Sequence, residues 1–119
     1  LDKVVLPYHL DTAKQIAGTL AVQFQGDMEE RVRTIVAERQ RLVNALASLD
    51  VDVFESGANF ILMRPRSKSG RTVWQGLLDR SVLIRDCSSW PRLADCLRVT
   101  IGTQEQDDIF LNALTEVLS

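Results

Sequence analysis

Apolar residues recur three and four positions apart in the first half of the chain and mostly alternate in the second. Ala13, Ile16, Ala17, Leu20, Ala21 and Phe24 follow Asp11, a residue type favoured at helix N-caps. They predict an amphipathic helix that Gly26 ends. Asp27 caps a second helix over 27–49, striped by Met28, Val32, Ile35, Val36, Leu42, Val43, Leu46 and Leu49. Glu29 and Glu30 stand in its first turn, where the helix dipole favours acids. The period then falls to two. Val51 and Val53 alternate with Asp52 and Phe54, Ser56-Gly57 reads as a turn, and Phe60 to Met63 form a continuous apolar run, together a β-hairpin. Residues 64–71, RPRSKSGR, read as a polar loop, and Val73, Trp74, Leu77 and Leu78 as a short helix. Two strands follow, 81–86 and 96–101, separated by a loop with Ser88, Ser89 and Pro91. Gly102 ends the second strand, and Thr103 with Gln106 makes a capping box. Ile109, Phe110, Ala113, Leu114, Val117 and Leu118 then stripe a final helix.

The order α-α-β-β-α-β-β-α predicts an α+β fold: a small mixed or antiparallel sheet with helices packed on one face. At 119 residues the chain is long enough to hold a core without metal or disulfide staples. Its 45% hydrophobic and 25% charged residues exclude disordered and fibrous classes. The net charge of −2 removes a general nucleic-acid or acidic-membrane coat. No apolar run approaches the roughly 20 residues of a membrane span. The opening LDKVVLPYHL has no initiator Met and no signal-peptide core, and reads as the interior of a longer protein. Cys87 and Cys96 have no CxxC partner and read as reduced, half-buried thiols, not as a zinc site or a disulfide.

Candidate chemistry is sparse. His9 is the one histidine, and no Ser/His/Asp or Cys/His set can be assembled. No glycine spacing matches a phosphate loop. Arg64, Arg66, Lys68 and Arg71 lack interleaved aromatics and read as a solvated connection. Arg85 and Arg98 are more informative, because each sits within a predicted strand opposite an aliphatic face. If helices cover that face, both arginines point off the other one. A planar guanidinium suits bidentate capture of a carboxylate or phosphate, and two on one face make an anion site.

The segment Leu97-Arg98-Val99-Thr100-Ile101-Gly102-Thr103, followed by the Phe110-Leu111 helix, resembles the C-terminal signature of histidinol-phosphate aminotransferases. So does Val82-Leu83-Ile84-Arg85-Asp86. Leu6-Pro7-Tyr8-His9-Leu10 resembles the segment leaving the large domain of these enzymes, and Ala58-Asn59-Phe60 their small-domain hairpin. The resemblance implies residues 1–26 as the segment and helix leaving a large domain, and 27–119 as the small C-terminal domain. It implies a parent that transaminates histidinol phosphate with 2-oxoglutarate in histidine biosynthesis, as a cytoplasmic homodimer dependent on pyridoxal phosphate. By that resemblance Arg98 grips the substrate's carboxylate or phosphate, Arg85 takes the distal acidic group, and Tyr8 lies near the site entrance. The family's Schiff-base lysine has no match among Lys3, Lys14 and Lys68, and the aspartate-aromatic pair for the pyridine ring is also missing. No catalytic, cofactor-holding or metal-holding residue is therefore assigned, and the chain alone is expected to be inactive, without bound cofactor. An aromatic aminotransferase, a threonine-phosphate decarboxylase and a non-catalytic α+β binding module stay open as alternatives.

Overall fold

Asp11 caps α1 (Thr12–Ala21), its carboxylate accepting from the Lys14 N–H at 2.9 Å and pairing with the Lys14 ammonium at 2.8 Å. The computed structural model describes residues 10–119, so Tyr8 and His9 lie outside the described residues. A 3-10 turn, Val22–Phe24, leads into α2 (Gln25–Leu46). Gly26 therefore does not end a helix, contrary to expectation. No described glycine has a positive φ, so the left-handed stop is not used. The chain tightens three residues earlier instead.

The described residues up to Val32 form one unit and Arg33–Ser119 a second. In the first, α1 buries no residue, and Ile16, Leu20, Phe24 and Met28 are each about half exposed.

The second unit is built on four strands: β1 (Val51–Val53), β2 (Phe60–Pro65), β3 (Arg85–Asp86) and β4 (Leu97–Thr100). They lie in the order β1-β2-β4-β3, every neighbouring pair antiparallel. The C-terminal half of α2 joins α3 (Gly70–Leu78) and α4 (Gln104–Leu118) on one face. Leu42 and Leu46, Val73 and Leu77, and Phe110, Leu114 and Val117 pack there against Ile61, Met63, Leu97 and Val99. This is the expected α+β layer, with the sheet antiparallel throughout.

Several boundaries differ from the sequence reading. Phe60 to Met63 is not uniformly buried: Ile61 and Met63 enter the core, while Phe60 and Leu62 face the other way and are half-buried. The strand also runs on through Arg64 and Pro65, which pair with Asp52 and Val51. α3 starts at Gly70, because Ser69 Oγ accepts from the Thr72 N–H at 3.1 Å. The expected strand over 81–86 shrinks to Arg85–Asp86. Ser81 has φ 62°, the Val82 N–H donates to Leu77 O at 2.9 Å, and Ile84 O accepts from Trp74 Nε1 at 2.9 Å. Backbone groups that a ladder would need are committed to α3. Ile109, placed in the apolar stripe of α4, is 54% exposed. The Thr103–Gln106 capping box forms as expected.

Two close approaches fix the helices. A Cβ on Gly76 would lie 2.9 Å from both Val117 methyls, so glycine lets α3 and α4 touch. A Cβ on Gly70 would lie 2.5 Å from the Asp95 carbonyl oxygen. Asp95 itself, at φ 59°, turns its carboxylate to accept from the Gly70 N–H at 2.8 Å.

Candidate anion-binding site

Side chains alternate across the sheet, so register decides which residues share the face the helices leave open. Arg85 stands directly opposite Arg98, and Leu62 opposite Arg98 on its other side. Phe60, Leu62 and Arg64 of β2 therefore share one face with Arg98 of β4 and Arg85 of β3. The Arg98 guanidinium lies over the Phe60 ring at 4.8 Å, and that of Arg64 over Phe54 at 5.5 Å. Arg64 Nη2 also donates to Cys96 Sγ at 3.4 Å.

None of these three arginines is ion-paired among the described residues. Asp52, opposite Arg64, is taken by Arg66 at 2.8 Å. The Nε atoms of Arg64 and Arg98 are buried with no hydrogen-bond partner. A buried donor without an acceptor is costly, so each guanidinium carries an unmet demand for an acceptor. Arg85 and Arg98 line a cleft of about 560 Å³ with Thr100, Gly102, Gln106 and Asp107.

Asp107 brings a different chemistry. It is 2% exposed, and burial above all pushes its carboxyl upward, with the neighbouring Glu38 carboxylate adding to the push. The Gly102 N–H, donating to Oδ1 at 3.1 Å, opposes this, and Oδ2 has no partner. Glu38 is itself bound by Arg41 at 2.6 Å, and Arg41 reaches Asp108 at 2.7 Å.

The sequence reading singled out Arg85, Arg98 and Tyr8. The register brings the first two together, and Tyr8 lies outside the described residues. The reading missed Arg64, assigned to a solvated loop. The signal was the alternation of Phe60, Leu62 and Arg64 with Ile61, Met63 and Pro65. Its former companions in that loop serve other ends: Lys68 Nζ donates to Val117 O at 2.7 Å, and Arg71 stacks on Trp74 at 4.5 Å. Asp107 was missed because an acid near a helix N-terminus ordinarily faces water.

Neither described lysine is placed as a buried amine able to form a Schiff base. Lys14 is solvated and paired with Asp11, and Lys68 is tied to the end of α4. The described residues thus do not supply the Schiff-base amine. Among them, no group of three or more His, Cys, Asp or Glu is arranged to hold a metal ion. No helix among them is long and apolar enough to cross a membrane.

The chain is similar to known proteins in sequence and in fold. Residues 1–114 match the family described as aminotransferase class I and II. A histidinol-phosphate aminotransferase of Citrobacter koseri is 41% identical over 118 residues, 96% of this chain and 32% of that protein. The crystal structure of the histidinol-phosphate aminotransferase from Clostridium acetobutylicum superposes with a TM-score of 0.74 at 31% identity, over 78% of this chain and 29% of that one. An L-threonine-O-3-phosphate decarboxylase from Porphyromonas gingivalis gives a TM-score of 0.62 at 26% identity, over 72% and 26%. The chain spans about a third of the length of the curated relatives it matches. Over that span, the chain belongs to the class I and II aminotransferases.

Proposed function

We propose that this chain supplies the substrate-anion face of a pyridoxal phosphate-dependent aminotransferase acting on histidinol phosphate, with 2-oxoglutarate as the amino acceptor. The observation that carries the reading is the direct opposition of Arg85 and Arg98 on the sheet face opposite the helices, beside a cleft, with neither ion-paired to a carboxylate among the described residues. In this reading Arg98 holds the carboxylate or phosphate and Arg85 the second acidic group. Two fixed forks suit dianions of different length. Tyr8 belongs at the entrance of the same site. In this reading a large domain supplies the Schiff-base lysine, and residues 1–26 are the segment and helix that leave it. The small domain begins at Asp27, and the whole is a cytoplasmic homodimer. The chain alone binds anions and catalyses nothing.

Calorimetric titration with inorganic phosphate and with 2-oxoglutarate tests the arginine pair. Arg98→Ala should weaken both by about ten- to a hundredfold, the worth of one or two charge-assisted hydrogen bonds. Arg85→Ala should weaken 2-oxoglutarate more than a monocarboxylate. Equal weak binding by all variants would overturn the pair. A second reading, a phosphothreonine decarboxylase, is favoured by the likeness to the P. gingivalis enzyme. In the longer protein, transamination of histidinol phosphate against decarboxylation of threonine phosphate separates the two.

A further inference from the structure

The β3–β4 ladder ends at Asp86 and Leu97, and the next residue on each side keeps one of its two bonds, since the Cys96 N–H turns away to Leu93 O at 2.9 Å. Asp86 faces Leu97, so Cys87 faces Cys96, and the Cys87 N–H donates to Cys96 O at 2.9 Å. Both thiols are free and buried, 1% and 0% exposed, and by parity they lie on the arginine face. Arg64 Nη2 already touches Cys96 Sγ. We propose that Cys87 and Cys96 are a cross-strand dithiol that a low-molecular-weight disulfide such as glutathione disulfide converts reversibly to an intrachain disulfide.

A fully hydrogen-bonded opposed pair has Cα atoms about 5.5 Å apart, and the one bond kept here holds the two cysteines near that spacing, inside the roughly 4.4–6.8 Å that disulfides span. Their Cβ atoms, at about 5.5 Å for such a pair, must close by about 1–2 Å. β3 can yield, because it is two residues long and forms the edge of the sheet. A bond made under that strain is readily reduced, which fits a reversible modification and not a permanent staple. The same yielding opens the buried sulfurs to the oxidant. One thiol loses its proton and attacks glutathione disulfide, expelling one glutathione. The second thiol loses its proton and attacks the mixed disulfide, expelling the other. Two thiols are oxidised, and one glutathione disulfide is reduced to two glutathiones. The bond then holds β3 to β4 beside the anion-facing arginines.

The sequence makes the test direct, since trypsin cuts at Arg92 between the two cysteines. The purified protein is incubated with excess glutathione disulfide, unfolded in guanidinium with iodoacetamide, and digested. The expected result is peptides 86–92 and 93–98 joined to each other, with loss of both alkylated peptides, in chains that run as monomers on a non-reducing gel. Dithiothreitol should restore both alkylated peptides, and Cys87→Ser should abolish the joined pair. Full alkylation of both cysteines, stable glutathione adducts without a joined pair, or linkage only between chains would each overturn the dithiol. None of these outcomes depends on what the arginines bind.

Discussion

Asp107 shows how one residue can set a pH response. Its carboxyl is pushed above the ordinary value of 3.8, chiefly by burial. The folded chain therefore holds this proton more tightly than the unfolded chain does. The contribution to stability is greatest below the ordinary carboxylate value and is lost as pH rises through the folded pKa. Asp107→Asn keeps an oxygen for the Gly102 N–H and removes the titration. Urea denaturation at steps from about pH 4 to pH 7 should show stability falling with pH more steeply in the wild type than in the variant. Parallel curves would mean that Asp107 ionises without cost.

Among the elements, the contact of α3 with α4 turns on Gly76. Alanine there would improve helix propensity by about 1 kcal/mol, but its Cβ would meet both Val117 methyls at 2.9 Å. Val117 is buried and stiff, and overpacking of this kind costs about 1–3 kcal/mol. Gly76→Ala should therefore lower the melting temperature, and in a Val117→Ala background the same substitution should raise it. A loss in both backgrounds would reject this account. Such contacts are invisible in sequence, whereas the helices α2 and α4 and the capping box were legible because periodicity is local, although Met28, Val32 and Val36 of the α2 stripe are about half exposed. The hairpin was legible for the same reason. The length of β3 was not, because Trp74 and Leu77 divert its hydrogen bonds from ten and five residues upstream. The shared face of Arg85 and Arg98 was legible as parity along each strand. Arg64 was not, because only pairing with β1 shows that β2 extends through it.

At the scale of the whole molecule, a net charge of −2 coexists with an open sheet face that carries Arg64, Arg85 and Arg98. Anion capture there should weaken with added salt despite the acidic chain, because the local field and not the total charge governs it. Phosphate titrations at rising sodium chloride check this, and salt-independent affinity would contradict it. The tie between Asp95 and the first turn of α3 has a kinetic side. An amide at the start of a helix ordinarily exchanges with solvent freely, since no intrahelical carbonyl holds it. The Gly70 amide is held by a loop residue 25 positions away, in the segment that joins β3 to β4. Gly70, Cys87 and Cys96 should therefore exchange their amide hydrogens at one common rate, set by a single opening in which that loop lifts off the helix. Asp95→Gly tolerates the φ of 59° and removes the carboxylate. In that variant, exchange followed by NMR should accelerate at Gly70 and leave Cys87 slow, dividing one cooperative opening into two.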